Sequence, residues 1–458
     1  MTNLDISINM ELNMIFNKEN VKEIPNLQVD KFNKQLKYLE KSKYYNSLIK
    51  KHNICSYKDF QNIPFLTKEI LREKWQDIMI GPISDAVHYY QTTGTTGQVV
   101  PCPRNIDDIT WNNATYTQTW GRLIKGLDAK VIGVLGPAEL HSFADTITEV
   151  GKRINILSVK CWPFSPMVNG IDKTLNVVKN LDIDVIFCTP GLLMTLAMYI
   201  RKYKYDIKDF SNKIFLLQGE LCTAAMKNNL KDIWNTDHIY DGTYSSQEAY
   251  GITSTCKNGH LHHISPNYII EILDYKTNKI KPIEDGVTGE LVVTMLNPSI
   301  KPMIRYCTGD LVRITLEKCD DIYSPIVIPL GRKKDIITFN GNDFFAGDIE
   351  EILLKNFKYV VSFNLEINND SFSDFLNIKL ELWDYNDRNK NESIIFECQK
   401  KLSELLGVQV SISVEKDLGL LGTTSAMVGW KAARISDNRI ADDQETMIAK
   451  RISETKRL

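Results

Sequence analysis

The sequence predicts an α/β protein in two unequal parts: a large N-terminal domain with a parallel sheet and appended β structure, then a small α+β C-terminal domain. Three observations carry that expectation. Consecutive strand–loop–helix units occupy the middle of the chain, which implies a parallel sheet with right-handed crossovers. Beyond Gly251 the pattern turns to β structure, and after Gly331 helix and strand patterns share a segment of about one domain's length.

From Gln35 to Gln76 the pattern is helical, with polar and basic faces and the turn-like Ile63-Pro64 inside it. Tyr89 begins a Thr/Gly-rich loop. Val131–Leu135 is a short apolar run closed by Gly136-Pro137, which suits a buried strand. Asp184–Cys188 ends at Thr189-Pro190-Gly191, ahead of a helix over Leu192–Tyr199. Lys213–Leu217 ends at Gln218-Gly219-Glu220, ahead of a helix toward Trp234, and His238–Tyr240 ends at Asp241-Gly242-Thr243. Ligands of such sheets gather beyond the carboxyl ends of the strands. The loops at 189–191, 218–221 and 241–248 are therefore expected to share one crevice. Strands follow at Tyr268–Leu273, Glu290–Met295 and Leu311–Ile314. The last part reads as a helix (Asp348–Leu354), two strands (Val360–Ile367, Phe375–Trp383), a helix (Glu392–Leu406) and a final strand alternating at Val408, Val410, Ile412 and Val414. The charged tail at 441–458 reads as an exposed or frayed helix.

Composition excludes several classes. Of the 458 residues 43% are hydrophobic and 24% charged, the balance of a globular protein and not of a disordered one. Fifty-five Lys+Arg against 57 Asp+Glu leave a net charge of −2, so nothing argues for an electrostatic grip on nucleic acid or on an anionic membrane. No run of about 18 apolar residues is present for a membrane span. Asp5 and Glu11 stand where a secretion signal would have a basic start and an apolar core. Nine scattered cysteines without a CxxC pair read as reduced, mostly buried thiols, and the expected location is the cytoplasm.

Five short motifs carry the chemistry. The loop Gln91-Thr92-Thr93-Gly94-Thr95-Thr96-Gly97 has two glycines that let successive N–H groups face one concavity, with threonine hydroxyls around it. That suits a polyphosphate, although no Gly-Lys-Ser/Thr of a Walker loop follows. Tyr244-Ser245-Ser246-Gln247-Glu248 lies at the mouth of a parallel strand. Thr308-Gly309-Asp310 puts a carboxylate directly after an expected Gly turn, where it could accept two ribose hydroxyls or its own backbone. Gly331-Arg332-Lys333-Lys334-Asp335 falls at the domain boundary. Gly429-Trp430-Lys431 places a lone lysine in a Gly-preceded loop near the C-terminus.

In this order the motifs resemble those of the adenylate-forming superfamily, most closely its phenylacetate–CoA ligase-like branch. The resemblance runs from about Tyr44 to Arg439, and Ile63-Pro64-Phe65-Leu66-Thr67-Lys68-Glu69 looks like that branch's N-terminal signature. It implies ATP-dependent conversion of a small carboxylic acid to acyl-AMP, with Mg2+, followed by transfer to CoA; a carrier-protein phosphopantetheine or an amine is the alternative acceptor, and a homodimer is left open. It implies that Thr92, Thr93, Gly94, Thr95, Thr96 and Gly97 hold ATP phosphates. Gly219 and Glu220 would lie along the adenine, and Tyr244 would stack on it. Glu248 would carry Mg2+, Asp310 the ribose, and Arg332 a phosphate or ribose contact. Lys431 would be the catalytic lysine of a mobile C-terminal domain (334–458), rotating about Lys334 against the N-terminal domain (1–333). Gly136, His141, Phe143 and Ser245 are acyl-pocket candidates. Ser245 replaces a frequent Gly and tightens the space beside the adenylate.

Relatives often carry a Cys-rich run before the Gly-Arg of the fourth motif; here that run is Ile328-Pro329-Leu330, which removes the basis for a zinc site like theirs. Cys256, His260, His262 and Cys319 could gather a metal, but the sequence favours ordinary satisfied or exposed side chains. Two other classes compete. A serine hydrolase lacks its Gly-x-Ser-x-Gly elbow. An inactive scaffold homologue sits poorly with Glu248, Asp310, Arg332 and Lys431 all present.

Overall fold

A computed structural model describes residues 2–92, 99–165, 169–370, 373–384, 392–418 and 434–439. Thr93, Gly94, Thr95, Thr96, Gly97, Lys431 and the 441–458 tail lie outside the described residues. The chain packs as two compact units: 1–132, 137–160 and 241–329 form one, and 133–136, 161–240 and 330–458 the other.

In the first unit, helices Asn3–Leu12, Ile24–Leu39, Lys43–His52 and Lys68–Ile78 precede a hairpin of His88–Gln91 with Pro101–Arg104. The 35–76 stretch is thus three helices and a 3-10 turn rather than one pattern, because Ser42, Ser56 and Thr67 each cap a new start. Helix Ile106–Gly126 begins at an Asn105/Asp108 capping box. A seven-stranded sheet follows, in the spatial order Thr253–Thr255, Leu261–His263, Ile326–Arg332, Tyr306–Thr315, Thr288–Met295, Tyr268–Leu273 and Ile280–Lys281. Phe32, Leu71, Trp111, Tyr268, Ile272 and Val293 belong to one buried cluster beneath it.

The strand expected at Leu311–Ile314 runs from Tyr306 to Thr315. Glu290 pairs with Leu311 and Val292 with Cys307, so Thr308, Gly309 and Asp310 together face the single residue Leu291. This is a bulge and not a turn, and Gly309 takes φ +76°, a conformation costly for a side chain. The bulge turns Asp310 out of the ladder.

Arg305, just before that strand, welds the N-terminal signature to the sheet. Its guanidinium pairs with Glu271 at 2.8 Å, donates to the carbonyls of Gln61 and Ile63, and lies 4.3 Å from the Phe65 ring centroid. Arg305→Leu would leave the Glu271 carboxylate buried without its partner, and should cost about 3–5 kcal/mol. The first thermal transition should fall accordingly; an unmoved melting curve would refute the weld.

In the second unit, Val185–Cys188 and Ile214–Leu217 pair in parallel as part of a sheet. Helices Pro190–Tyr203 and Ala224–Trp234 return along it, capped by Thr189 and Thr223. The C-terminal elements are helix Ala346–Asn356, helix Glu392–Leu406, and a sheet ordered Gln409–Glu415, Asp374–Leu382, Val360–Asn369, Ile435–Asp437. The expected final strand is therefore followed by another, the short parallel Ile435–Asp437. Arg201, on the helix Pro190–Tyr203, donates to Glu381 and to the Leu382 carbonyl.

Candidate active site

The first unit gathers the neighbourhoods of three of the five motifs around Glu248. The His88–Gln91/Pro101–Arg104 hairpin brings the ends of the Thr/Gly loop together, and Thr92 closes it: its N–H donates to the Val100 carbonyl at 3.1 Å and its hydroxyl accepts from Val100 N–H at 2.9 Å. Arg104, at the foot of the same hairpin, donates to the carbonyls of Gln247 and Glu248 and lies 3.7 Å from the Tyr250 ring centroid. One buried side chain thus ties this hairpin to the turn carrying Glu248.

That turn is itself a small hairpin. Ser245 pairs with Gly251 and Ser246 with Tyr250, and the Ser246 hydroxyl accepts from Ala249 N–H at 3.0 Å. Gly251 is required by close approach, since a Cβ there would stand 1.3 Å from the Tyr116 hydroxyl. Tyr244 N–H donates to the Thr253 hydroxyl at 2.7 Å, and its phenol donates to Asp310 at 2.8 Å. Burial, and then the Asp310 charge, hold the Tyr244 phenol well above its ordinary pKa, so it stays a donor. The bulge and the Tyr244 strand thus form one unit, and Asp310 is oriented by it.

Glu248 is buried, and the Tyr306 hydroxyl donates to its Oε1 at 3.0 Å. Lys68 Nζ stands 4.0 Å from the same oxygen. Burial by itself would raise the Glu248 pKa. The Lys68 charge, local backbone, the Tyr306 hydroxyl and the Lys301 charge together outweigh it, and the carboxyl titrates below its ordinary value. An ionised, oriented carboxylate with hard oxygen donors fits Mg2+. Lys301, also buried, donates to the Pro101 carbonyl and lies 3.8 Å from Cys102 Sγ.

Lys68, Tyr306, Arg104 and Lys301 have no role in the reading from sequence. Lys68 sits in the quoted N-terminal signature, and its route to Glu248 is legible only afterwards. Leu66 N–H donates to the Arg305 carbonyl and Leu66 O accepts from Cys307 N–H, each at 2.9 Å, and Thr67 then starts the helix that carries Lys68.

Of the acyl-pocket candidates, His141 accepts Phe143 N–H at 3.2 Å and is kept neutral by burial, which lowers its pKa. Between them, the Ser142 hydroxyl donates to Gln247 at 3.3 Å, which brings their loop to the Glu248 turn. Ser245 is exposed, on the first strand of that hairpin.

The second unit holds the remaining residues. Gly136 is buried just past Val131–Val134. Gly219 takes φ +87°, and the Glu220 carboxylate accepts Gly191 N–H at 3.0 Å, so the loops after two neighbouring parallel strands do meet. Arg332 and Lys334 are exposed, at the end of Ile326–Arg332 and in the turn Lys333–Asp335. Beyond Lys431, Arg434 is buried on Glu350 at 2.8 Å and lies 4.7 Å from the Phe363 ring centroid.

No family model matches the chain. Among curated proteins it is 25% identical over 400 residues to the phenylacetate-coenzyme A ligase of Aromatoleum evansii, covering 84% of this chain and 87% of that one. The Escherichia coli phenylacetate-coenzyme A ligase is 23% identical over 407 residues, 83% and 86% of the two chains. Among solved structures, 2-hydroxyisobutyryl-CoA ligase in its postadenylation state superposes with TM-score 0.77 at 17% identity, over 96% of this chain and 94% of that one. A GH3.15 acyl acid amido synthetase superposes with TM-score 0.68 at 12% identity, over 98% and 97%. The fold is that of adenylate-forming ligases. Along most of its length the chain is similar in sequence to phenylacetate-coenzyme A ligases of that fold. Among the described residues, no helix is long and apolar enough to cross a membrane, and no disulfide joins any of the nine cysteines.

Proposed function

We propose that this protein is an AMP-forming acid–thiol ligase: it activates a small carboxylic acid with ATP, releases pyrophosphate, and passes the acyl group to CoA. The observation that carries the reading is similarity to phenylacetate-coenzyme A ligases along most of the chain, with Tyr244, Glu248 and Asp310 gathered in one unit.

A carboxylate oxygen attacks the α-phosphorus of ATP, and the bond to pyrophosphate breaks. The acyl-AMP formed has AMP as a good leaving group; thiol attack on its carbonyl expels AMP, loses the thiol proton and gives the thioester. Positioning and charge dominate the first step, because anions are being joined. Mg2+, when bound, screens the phosphate charge. Glu248, kept ionised by Lys68 and aimed by Tyr306, would hold it. Thr92–Gly97 would take the phosphates, Gly219, Glu220 and Tyr244 the adenine, Asp310 the ribose and Arg332 a phosphate or ribose oxygen. Gly136, His141, Phe143 and Ser245 would line the acyl end. Lys431 would serve adenylation, and residues 334–458 would rotate about Lys334 to withdraw it, with 1–333 as the fixed part. The site of action is the cytoplasm.

A carrier-protein thiol or an amine is the second reading. The fold likeness to an acyl acid amido synthetase keeps the amine among the acceptors to be tried. Acid-dependent ATP–pyrophosphate exchange over a panel of acids, with mass spectrometry of products from CoA, a phosphopantetheinylated carrier and amines, tests the proposal. No exchange with any acid would favour the inactive scaffold.

Asp310→Ala should raise the ATP KM by about 2 kcal/mol, roughly thirtyfold, for charged hydrogen bonds lost to the ribose. Tyr244→Phe, which keeps the ring and loses the hydroxyl's bonds to Asp310 and Thr308, should have a smaller effect. An unchanged ATP KM in the Asp310 variant would sink the assignment.

A further inference from the structure

Away from Glu248 and Asp310, the first unit brings together Cys256, His260, His262 and Cys319, whose four ligand atoms all lie within 4.8 Å of one another. They come from two segments. Cys256 and His260 border the turn between Thr253–Thr255 and Leu261–His263, and Cys319 lies between Tyr306–Thr315 and Ile326–Arg332. His262 pairs with Ile326, so the neighbouring strands set the two segments side by side. The sequence favoured ordinary side chains here, and the contact across the sheet is what reverses that reading. His260 stands just before the strand Leu261–His263.

The two sulfurs are 3.9 Å apart. That is far beyond a disulfide bond of about 2.05 Å. Two thiolates each about 2.3 Å from one tetrahedral zinc stand about 3.8 Å apart. Backbone N–H groups of His260 and Asn258 are directed at Cys256 Sγ, and Asn258 Nδ2 donates to Cys319 Sγ at 3.8 Å.

His262 supplies an independent sign. Its Nδ1 is 2.7 Å from the Ser324 carbonyl, which can only accept, so Nδ1 carries the proton and Nε2 a lone pair. Nε2 is buried and, among the described residues, has no hydrogen-bond partner. An unpaired buried acceptor costs about 1–3 kcal/mol. A ring nitrogen bonded to a backbone carbonyl while its other nitrogen is free is how proteins orient metal-binding histidines.

We propose that Cys256, His260, His262 and Cys319 hold one Zn2+ in a closed tetrahedral site. Two thiolates and two neutral imidazoles balance the ion, which lets Cys256, His262 and Cys319 remain buried. Soft sulfur ligands disfavour Mg2+ and Ca2+. With all four positions filled by protein the ion is structural, clasping the 256–260 turn to the loop at 319–324. His260, the exposed ligand, closes it from the solvent side.

The test uses the full chain, purified without a metal-affinity step, and is independent of ligase activity. Elemental analysis should find one zinc per chain, released in full when a mercurial titrates the thiols. Cobalt reconstitution should give thiolate-to-metal charge-transfer bands that Cys319→Ser abolishes. His260→Ala should keep the fold but lose zinc to a chelator roughly tenfold faster or more, since even outer-shell changes cost about 10–100-fold in metal affinity. Chelation of the wild type should lower its melting temperature. Absence of zinc both as isolated and after incubation with zinc would overturn the site. So would undiminished zinc in Cys256→Ser/Cys319→Ser, or a mass lighter by two hydrogens that marks a Cys256–Cys319 disulfide.

Discussion

Glu248→Gln should lower acid-dependent pyrophosphate exchange by about 10²–10³ while leaving the protein folded. Gln preserves the acceptor for the Tyr306 hydroxyl and the volume of the side chain, so the buried hydrogen bond survives. What disappears is the negative charge that Mg2+ requires, and the half-saturating Mg2+ concentration should rise with it. Lys68 gives a second handle. Because the Glu248 pKa is depressed, its interactions as an anion are present above the ordinary carboxylate value of about 4.3 and are lost as pH falls through the lower folded value. Removing Lys68 leaves burial, the largest single influence on Glu248, with less to oppose it. In Lys68→Met the acid limb of the exchange profile should therefore move to higher pH. Wild-type Mg2+ dependence in the Glu248 variant would remove the carboxylate from the metal site, and an unmoved acid limb would show that Lys68 does not set its charge.

How much of this was legible in the sequence follows from how local each signal is. Tyr268–Leu273 and Glu392–Leu406 have the expected bounds, because unbroken apolar or helical runs and their stops are written within one segment. The strand ends before Gly136, Thr189 and Gln218 were legible for the same reason. The hairpin around the Thr/Gly loop was not: His88–Gln91 and Pro101–Arg104 are four residues each, one carries two prolines, and only their pairing makes them strands. The bulge at Gly309 depends likewise on where the partner strand slips its register, so the chain read alone as a turn.

The site shows the same division. Tyr244, Glu248 and Asp310 are visible as motifs, since each stands next to a chain stop. The groups that tune them are not. Lys68 reaches Glu248 only because Arg305 docks the segment before it onto a strand more than two hundred residues away, and Arg104 holds the Glu248 turn from a hairpin 144 residues away. Cys319 meets Cys256 through sheet order. Such contacts carry no local periodicity.

Lys431→Ala should separate the two half-reactions more sharply than any other change. The lysine follows Gly429-Trp430 in the sequence, and the family resemblance implies for it the acyl carboxylate and α-phosphate during adenylation. Its charge is useful while two anions are being joined, and has no further task once acyl-AMP exists. Loss of one preorganised donor typically costs about 10²–10³ in rate, roughly 3–4 kcal/mol. Acid-dependent pyrophosphate exchange should fall by at least that factor. The same variant, supplied with synthetic acyl-AMP and CoA, should still form thioester at close to the wild-type rate. An inconsequential surface lysine would leave both reactions unchanged. A lysine needed only for folding would lower thermal stability as well, and the neighbouring Arg434–Glu350 pair supplies the comparison: Arg434→Met leaves Glu350 buried without its cation and should depress the melting curve. Lys431→Ala should not. Full exchange activity in a well-folded Lys431→Ala would mean that the adenylating cation lies elsewhere in the chain.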